Sequence, residues 1–269
     1  MKNNKFDYIV VGGGSAGCAL VNRLSANKNN NVLLIEAGKS SHALSRMPVS
    51  FAMLIDNPSA NWRYRSKPEP GTSNRQIPVP RGKLLGGSSS INGLVYVRGQ
   101  KLDYDIWAQM GNKGWSSDDV FPFFKKLENY QNDCEDMRGI DGPVKISQVK
   151  DRNPIYDALF QTGERLGIPF NKDYNSNDQE GLAYTQTTIY NGERISAKVA
   201  YLDPIKSRKN LTILTNSLVL KVIINNKSAE SVEVFRNDKN EVFHANKEVI
   251  ICGGAINSPQ ILELSGIGN

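Results

Sequence analysis

The chain opens with apolar runs separated by glycine-rich breaks. Tyr8-Ile9-Val10-Val11 is a short continuous apolar run, the pattern of a strand buried on both faces of a parallel sheet. Residues 12–17 read Gly-Gly-Gly-Ser-Ala-Gly and predict a turn. Ala16, Ala19, Leu20, Arg23 and Leu24 recur at helical spacing, and the Asn-rich stretch 27–31 ends the helix. Val32-Leu33-Leu34-Ile35 predicts a second strand, closed by Glu36-Ala37-Gly38. Pro48, Pro58, Pro68, Pro70, Pro78 and Pro80 punctuate the next segment and predict extended, irregular chain. A Gly/Ser-rich loop follows at 82–93. Residues 101–131 predict helix, with a second start at Ser116/Ser117. Gly142-Pro143 opens a strand near 144–146, a helix near 154–166, and a strand at 184–190 before the Asn191-Gly192 turn. Segments 211–215, 219–224, 231–235 and 249–252 read as strands, the middle ones as hairpins. Residues 258–264 read as a helix with Pro259 in its first turn.

Composition narrows this picture without redirecting it. With 269 residues, 39% of them hydrophobic, the chain can bury a core as one large domain or two small ones. Lys+Arg 33 against Asp+Glu 27 gives a net charge of +6, but the cations are scattered. They predict an ordinary basic surface rather than a nucleic-acid site. Cys18, Cys134 and Cys252 are far apart and form no CxxC pair, so neither a disulfide framework nor a metal site is expected. A reducing, cytoplasmic setting is the expectation. The apolar run at 6–11 is too short for a signal-peptide core, and no segment nears the roughly 18 apolar residues of an integral membrane segment.

Gly12-x-Gly14-x-x-Gly17 lies directly after a strand and opens a helix, the context a dinucleotide fingerprint requires. Gly12 permits the tight turn. Gly14 lets backbone approach a pyrophosphate whose charge sits on the helix N-terminus, and Gly17 permits close helix–strand packing. Glu36 follows 19 residues after Gly17, where a carboxylate can accept hydrogen bonds from ribose hydroxyls. The motif does not separate NAD from FAD. The acidic side chain argues against NADP, whose 2′-phosphate it would repel.

Two further loops offer backbone and hydroxyl groups to a flat polar ligand. One is Arg81-Gly82-Lys83-Leu84-Leu85-Gly86-Gly87-Ser88-Ser89-Ser90-Ile91-Asn92-Gly93, and the other is residues 254–268, after the strand at 248–252. Taken singly, each is only a loop. Together with the fingerprint they resemble, in order, the two signatures of the glucose–methanol–choline (GMC) oxidoreductases, nearest the choline dehydrogenase-like members. Asn61-Trp62-Arg63-Tyr64, Tyr96-Val97-Arg98-Gly99, Asp103-Tyr104-Asp105-x-Trp107 and Gly111-Asn112-x-Gly114-Trp115 extend the resemblance over essentially the whole chain.

The resemblance implies an α/β fold: a Rossmann-like FAD-binding domain with part of an α+β substrate domain, truncated to the family's N-terminal half. The expected segmentation is 1–141 for the first FAD-binding part, 142–205 for substrate-domain chain and 206–269 for the second FAD-binding part. It implies FAD and oxidation of a CH–OH group by hydride transfer to flavin N5, with choline or another primary alcohol as substrate. By position, Gly12, Gly14, Ser15, Ala16 and Gly17 are expected at the pyrophosphate and Glu36 with Ala37 at the adenosine ribose. Leu84, Asn92, Gly93, Leu94 and Val95 are expected along the flavin, and Val219 at the adenine through its backbone. Ile91 stands where some members carry a flavin-tethering histidine, so the FAD is expected to be non-covalent.

The family's catalytic histidine has no counterpart here. His42 and His244 are the two histidines, and neither matches its position. No catalytic residue is assigned, and the isolated chain is expected to be inactive and to bind FAD weakly or not at all. A non-catalytic dinucleotide-binding remnant, and one chain of a split enzyme complemented by a C-terminal half, are the alternatives. A hydroxynitrile lyase with structural FAD is a further one. Trp62, Tyr64 and Trp107 could cage a quaternary ammonium, but packing is the more ordinary role for them.

Overall fold

The computed structural model describes residues 4–132, 137–150 and 153–268. Cys134 lies outside them. Two compact units result, Met1–Gly93 with Arg194–Asn269, and Leu94–Glu193. These are divisions of packing, and they fall at different places from the functional segmentation expected at 141/142 and 205/206.

The first unit is built on a six-stranded sheet. Lys5–Val11 pairs in parallel with Val32–Ile35 on one side and with Lys239–Ile251 on the other. Leu211–Leu214 continues the parallel part beyond Val32–Ile35. Ser228–Arg236 and Leu218–Asn225 complete the sheet as antiparallel neighbours beyond Lys239–Ile251. The register sets Val11 opposite both Ile35 and Ile251, and Ile35 opposite Leu214. All four parallel strands therefore end at one edge. All of Val32–Ile35 is buried, which is why its pattern is a run and not an alternation. Ile9, Val11, Leu33, Ile35, Val232, Val234 and Phe243 form one apolar core with Ile261.

The chain leaves Lys5–Val11 through the helix Ser15–Leu24 and pairs to one side, then returns to pair on the other. In sheets of this kind the ligand position lies outside the carboxyl ends, where the winding direction changes. His244 pairs with Lys5, at the opposite, amino edge. The last helix corrects the sequence expectation: it begins at Gly254, not near 258, so Pro259 lies inside it. Gly254 has φ +81°, which lets the helix start straight out of the strand. The N–H that Pro259 lacks leaves the exposed Ala255 without its usual intrahelical donor, where water can serve.

The second unit has helices Lys101–Gln109, Ser117–Leu127 and Pro154–Arg165. Ser116 and Asp119 form a reciprocal capping box that restarts the helix, as the sequence suggested. Helix does not reach 131, because Glu128–Tyr130 is a strand parallel to Val144–Gln148. The expected strand at 184–190 is broken into Gln186–Thr187 and Ile189–Tyr190. At Thr188 the backbone N–H turns to the Leu94 carbonyl, 2.9 Å away.

A charged cluster lies inside this unit. The Glu128 carboxylate is buried and accepts from Arg98, from Arg138 Nε at 2.9 Å and from the Gly139 N–H at 2.8 Å. Arg138 also donates to Asp173 at 2.6 Å and to Gln186 Oε1 at 3.0 Å. Removing one partner from such a cluster leaves buried charge without compensation. Glu128→Ala is expected to destabilise the protein by about 3–5 kcal/mol, read by urea denaturation. A loss under about 1 kcal/mol would mean the cluster is not acting as a buried ion network.

Candidate dinucleotide site

The turn at residues 12–17 is packed so closely that glycine is required at both ends. A Cβ on Gly17 would sit 2.0 Å from the Gly12 carbonyl oxygen, and one on Gly12 would sit 2.5 Å from the Cys252 oxygen. Gly12 itself has φ +103°. Gly14 caps Ser15–Leu24, with no side chain bonded to the helix end and no acidic residue in its first turn. The first intrahelical bond runs from Cys18 N to the Gly14 oxygen, 3.0 Å. The N–H groups of Ser15, Ala16 and Gly17 thus have no partner within the helix, and Ser15 and Ala16 are exposed.

The second glycine turn lies directly against the first. Gly86 N donates to the Gly13 carbonyl at 2.7 Å, and a Cβ on Gly87 would meet Gly14 Cα at 2.7 Å. The short 3-10 helix Gly87–Ser90 starts from Gly86 without a side-chain cap. The third turn comes from the end of Lys239–Ile251, where Cys252 N donates to the Val11 carbonyl at 2.7 Å. The helix Gly254–Leu264 that follows is likewise uncapped by any side chain. Three separated sequence segments thus bring glycine turns to one edge of one sheet.

Glu36 joins them. Its carboxylate is buried and accepts from Gly13 N at 2.8 Å and Gly38 N at 2.9 Å, one on each oxygen. A carboxylate has about four acceptor positions, so about two remain for a ligand. Burial pushes the carboxyl above its ordinary value, and these two backbone donors work against the rise. Ser217 N donates to the Glu36 carbonyl at 3.0 Å and Asn216 N to the Gly38 carbonyl at 2.7 Å, which brings the start of Leu218–Asn225, and so Val219, next to the same turn. Ala37 is half-buried between Glu36 and Gly38.

The flavin-side residues divide. Leu84 is buried beside Leu54, Ala60 and Ile91. Ile91 is therefore a core side chain as well as a non-nucleophile. Asn92 and Gly93 are exposed at the end of the first unit, while Leu94 and Val95 begin the second. Leu94 is buried with φ +68°, and Val95 bridges Thr187.

The remaining candidates have ordinary roles. His42 Nδ1 accepts from Leu44 N at 3.2 Å, and His244 is an exposed strand residue. Trp62 and Tyr64 stack at 5.9 Å with the Lys83 ammonium 4.5 Å from the Trp62 ring centre, so that ring already faces a cation of the chain itself. Trp107 packs edge-on against Tyr104 and Trp115 in the second unit. A cleft of about 260 Å³ there, bordered by Arg98, Phe121 and Asn175, contains none of the expected cofactor residues. Among the described residues, no cluster of three or more His, Cys, Asp or Glu could hold a metal, and no helix is long and apolar enough to cross a membrane. Sequence inspection missed Gly13, Gly86 and Gly87 as turn-to-turn contacts, although each sits in a visible glycine run.

A Rossmann-like sheet with uncapped helix ends and a buried acidic side chain at its carboxyl edge is the arrangement found in dinucleotide-binding folds. Residues 6–269 match the family model of the GMC oxidoreductases, and the chain belongs to that family. It is 42% identical over 263 residues to the oxygen-dependent choline dehydrogenase of Sinorhizobium fredii (strain NBRC 101917 / NGR234), covering 97% of this chain and 48% of that protein. Among solved structures, pyridoxine 4-oxidase from Mesorbium loti superposes with a TM-score of 0.92 at 33% identity, covering 98% of this chain and 52% of that one. A formate oxidase of Aspergillus oryzae RIB40 studied for its FAD modification gives 0.91 at 29% identity, covering 100% of this chain and 48% of that one. The chain spans about half the length of the curated relatives it matches.

Two outcomes follow from the turn geometry. Gly17→Ala is expected to cost about 1–3 kcal/mol in denaturation midpoints, because the blocking atom is backbone and cannot swing aside. That exceeds the roughly 1 kcal/mol by which alanine favours a helix over glycine. For Glu36, the raised carboxyl means that the folded chain holds the proton more tightly than the unfolded one. Stability contributed by the neutral form is present at low pH and is lost as pH rises from the ordinary value through the raised one. The stability difference between the parent chain and Glu36→Gln, measured by denaturant titration, should therefore move against the parent over that window; a flat difference would contradict the raised carboxyl.

Proposed function

We propose that this chain forms the dinucleotide-binding portion of an FAD-dependent oxidoreductase acting on the CH–OH group of a small alcohol, choline or another primary alcohol. The observation that carries the proposal is the packing of the second and third glycine turns against the 12–17 turn, which the Glu36 carboxylate holds at Gly13. A cofactor fit is supported at Gly14: a Cβ there would find nothing nearer than Gly87 Cα at 4.0 Å, so the turn leaves an open cradle in front of exposed N–H groups.

In this assignment the Ser15, Ala16 and Gly17 N–H groups hold the pyrophosphate, and the positive end of Ser15–Leu24 adds to their attraction. Glu36 orients the ribose with the acceptor positions left over from Gly13 and Gly38. Backbone at Val219 borders the adenine. The 84–95 segment borders the isoalloxazine, and the buried, unreactive Ile91 supports non-covalent attachment. Bound FAD would supply the hydride acceptor for alcohol oxidation. His42 and His244 are not placed to take the alcohol proton, so the catalytic base is assigned to residues supplied by the family's C-terminal half. Free thiols at Cys18 and Cys252 suit a reducing, cytoplasmic setting.

Titration of the 269-residue chain with FAD and with ADP tests the proposal. ADP is expected to bind, and FAD to bind only weakly to the isolated chain. Gly14→Ala is expected to leave the melting temperature within about 2 °C and to weaken both ligands by about tenfold or more, since the new methyl fills only the cradle. Failure of the parent chain to bind either ligand would overturn the dinucleotide assignment. Alcohol turnover is expected only when a family C-terminal half is joined or added; turnover by the chain alone would overturn the division of labour.

A further inference from the structure

Arg194 is a buried cation with an unusual set of partners. The residue is 1% exposed. Its Nε donates to the Ser45 carbonyl at 2.9 Å. Its Nη1 donates to the Asn92 carbonyl at 2.8 Å, the Asn92 Oδ1 at 2.7 Å and the Ser89 carbonyl at 3.3 Å. Its Nη2 is buried with no hydrogen-bond partner. Every partner is neutral, and among the described residues no carboxylate forms an ion pair with it. Burial pulls the guanidinium down to about 10, so it stays charged at neutral pH.

Burying a cation without an anion is costly, and a neutral side chain could tie the same carbonyls. The second unit shows the ordinary solution, since Arg98 and Arg138 are paired with the carboxylates of Glu128 and Asp173. Arg194 instead places its charge directly beneath Asn92, an exposed residue of the loop that begins with the Gly86-Gly87 turn. It is also the residue at which the chain returns to the first unit, while Asn92 is next to the residue at which the chain leaves it.

We propose that Arg194 is a positioning residue for the isoalloxazine end of the cofactor: its fork fixes Asn92 and the 89–92 backbone, and its unpaired charge favours the flavin in its reduced form. This rests on the FAD assignment above. An isoalloxazine that takes up two electrons and one proton gains one negative charge, and a fixed cation in a low-dielectric site stabilises that charge. Oxidised flavin is held by the geometry alone. ADP lacks the isoalloxazine and meets only the 12–17 turn, Glu36 and the Val219 backbone, so Arg194 should not affect it.

The test compares the parent chain with Arg194→Met and Arg194→Lys. Arg194→Met is expected to weaken FAD by about tenfold while ADP stays within about twofold, a difference corresponding to loss of a charge-assisted hydrogen-bond set. At saturating FAD, its flavin midpoint potential should move to more negative values. Arg194→Lys keeps the charge without the fork, so it should hold the potential near that of the parent while still losing FAD affinity. In the ligand-free chain, hydrogen exchange should speed up at 89–92 in both variants and stay unchanged at 9–11. Parallel losses of ADP and FAD would mean a general folding role and overturn the inference. Unchanged FAD affinity, or a potential that moves equally in both variants, would also overturn it. A parent chain that binds ADP but not FAD, or binds neither, would overturn the FAD assignment first and this inference with it.

Discussion

The Gly12 carbonyl against Gly17 is the contact on which the rest of the site depends. Because no side chain separates them, the helix Ser15–Leu24 can start within one turn of Lys5–Val11 and lie against the sheet. Its free N–H groups then face the crevice and not a packed wall. Parallel pairing does the rest. Since Val11, Ile35, Leu214 and Ile251 are in register at one edge, every turn that follows those strands is delivered to the same place. The sheet delivers the first and third glycine turns, and the second is drawn in by the Gly86 N–H on the Gly13 carbonyl and the bare approach of Gly87 to Gly14.

How much of this was legible depended on sequence distance. The strand–turn–helix–strand run from Lys5 to Ile35 could be read almost residue by residue, because its signals are local: continuous apolar runs, glycine punctuation and helical periodicity. The hairpin of Leu218–Asn225 with Ser228–Arg236 was legible for the same reason, whereas the strand expected at 249–252 begins ten residues earlier, at Lys239, where it pairs with Ser228–Arg236. The second and third glycine turns were not distinguishable from ordinary loops by their own composition, and only resemblance in order along the chain grouped them. The strand break at Thr188 and the helix start at Gly254 were missed. The first is decided by Leu94, more than ninety residues away, and the second by a positive φ that composition does not display.

Glu36 shows how one side chain can serve structure and site together. Its oxygens hold Gly13 and Gly38, so the carboxylate ties the end of Val32–Ile35 to the fingerprint turn before any ligand arrives. The same bonds fix which lone pairs remain and where they point. A glutamine could make part of this lattice but could not accept at all positions, because its amide nitrogen only donates. The acidic residue expected for ribose recognition is thus also a keystone between two turns, and its burial raises its carboxyl enough to link folding to pH.

Buried arginine is used in two opposite ways in this chain. In the second unit, Arg98 and Arg138 close on Glu128 and Asp173, so two cations face two carboxylates. In the first unit, Arg194 closes only on carbonyls and an amide, and its charge is left over. Dipoles can solvate a cation, but they do not cancel it, so its field extends into whatever occupies the space above Asn92. A fold that needed only a clamp would gain by making it neutral. The two clusters therefore differ in compensation: one pairs its cations with carboxylates, and the other holds its cation on carbonyl and amide dipoles beneath Asn92.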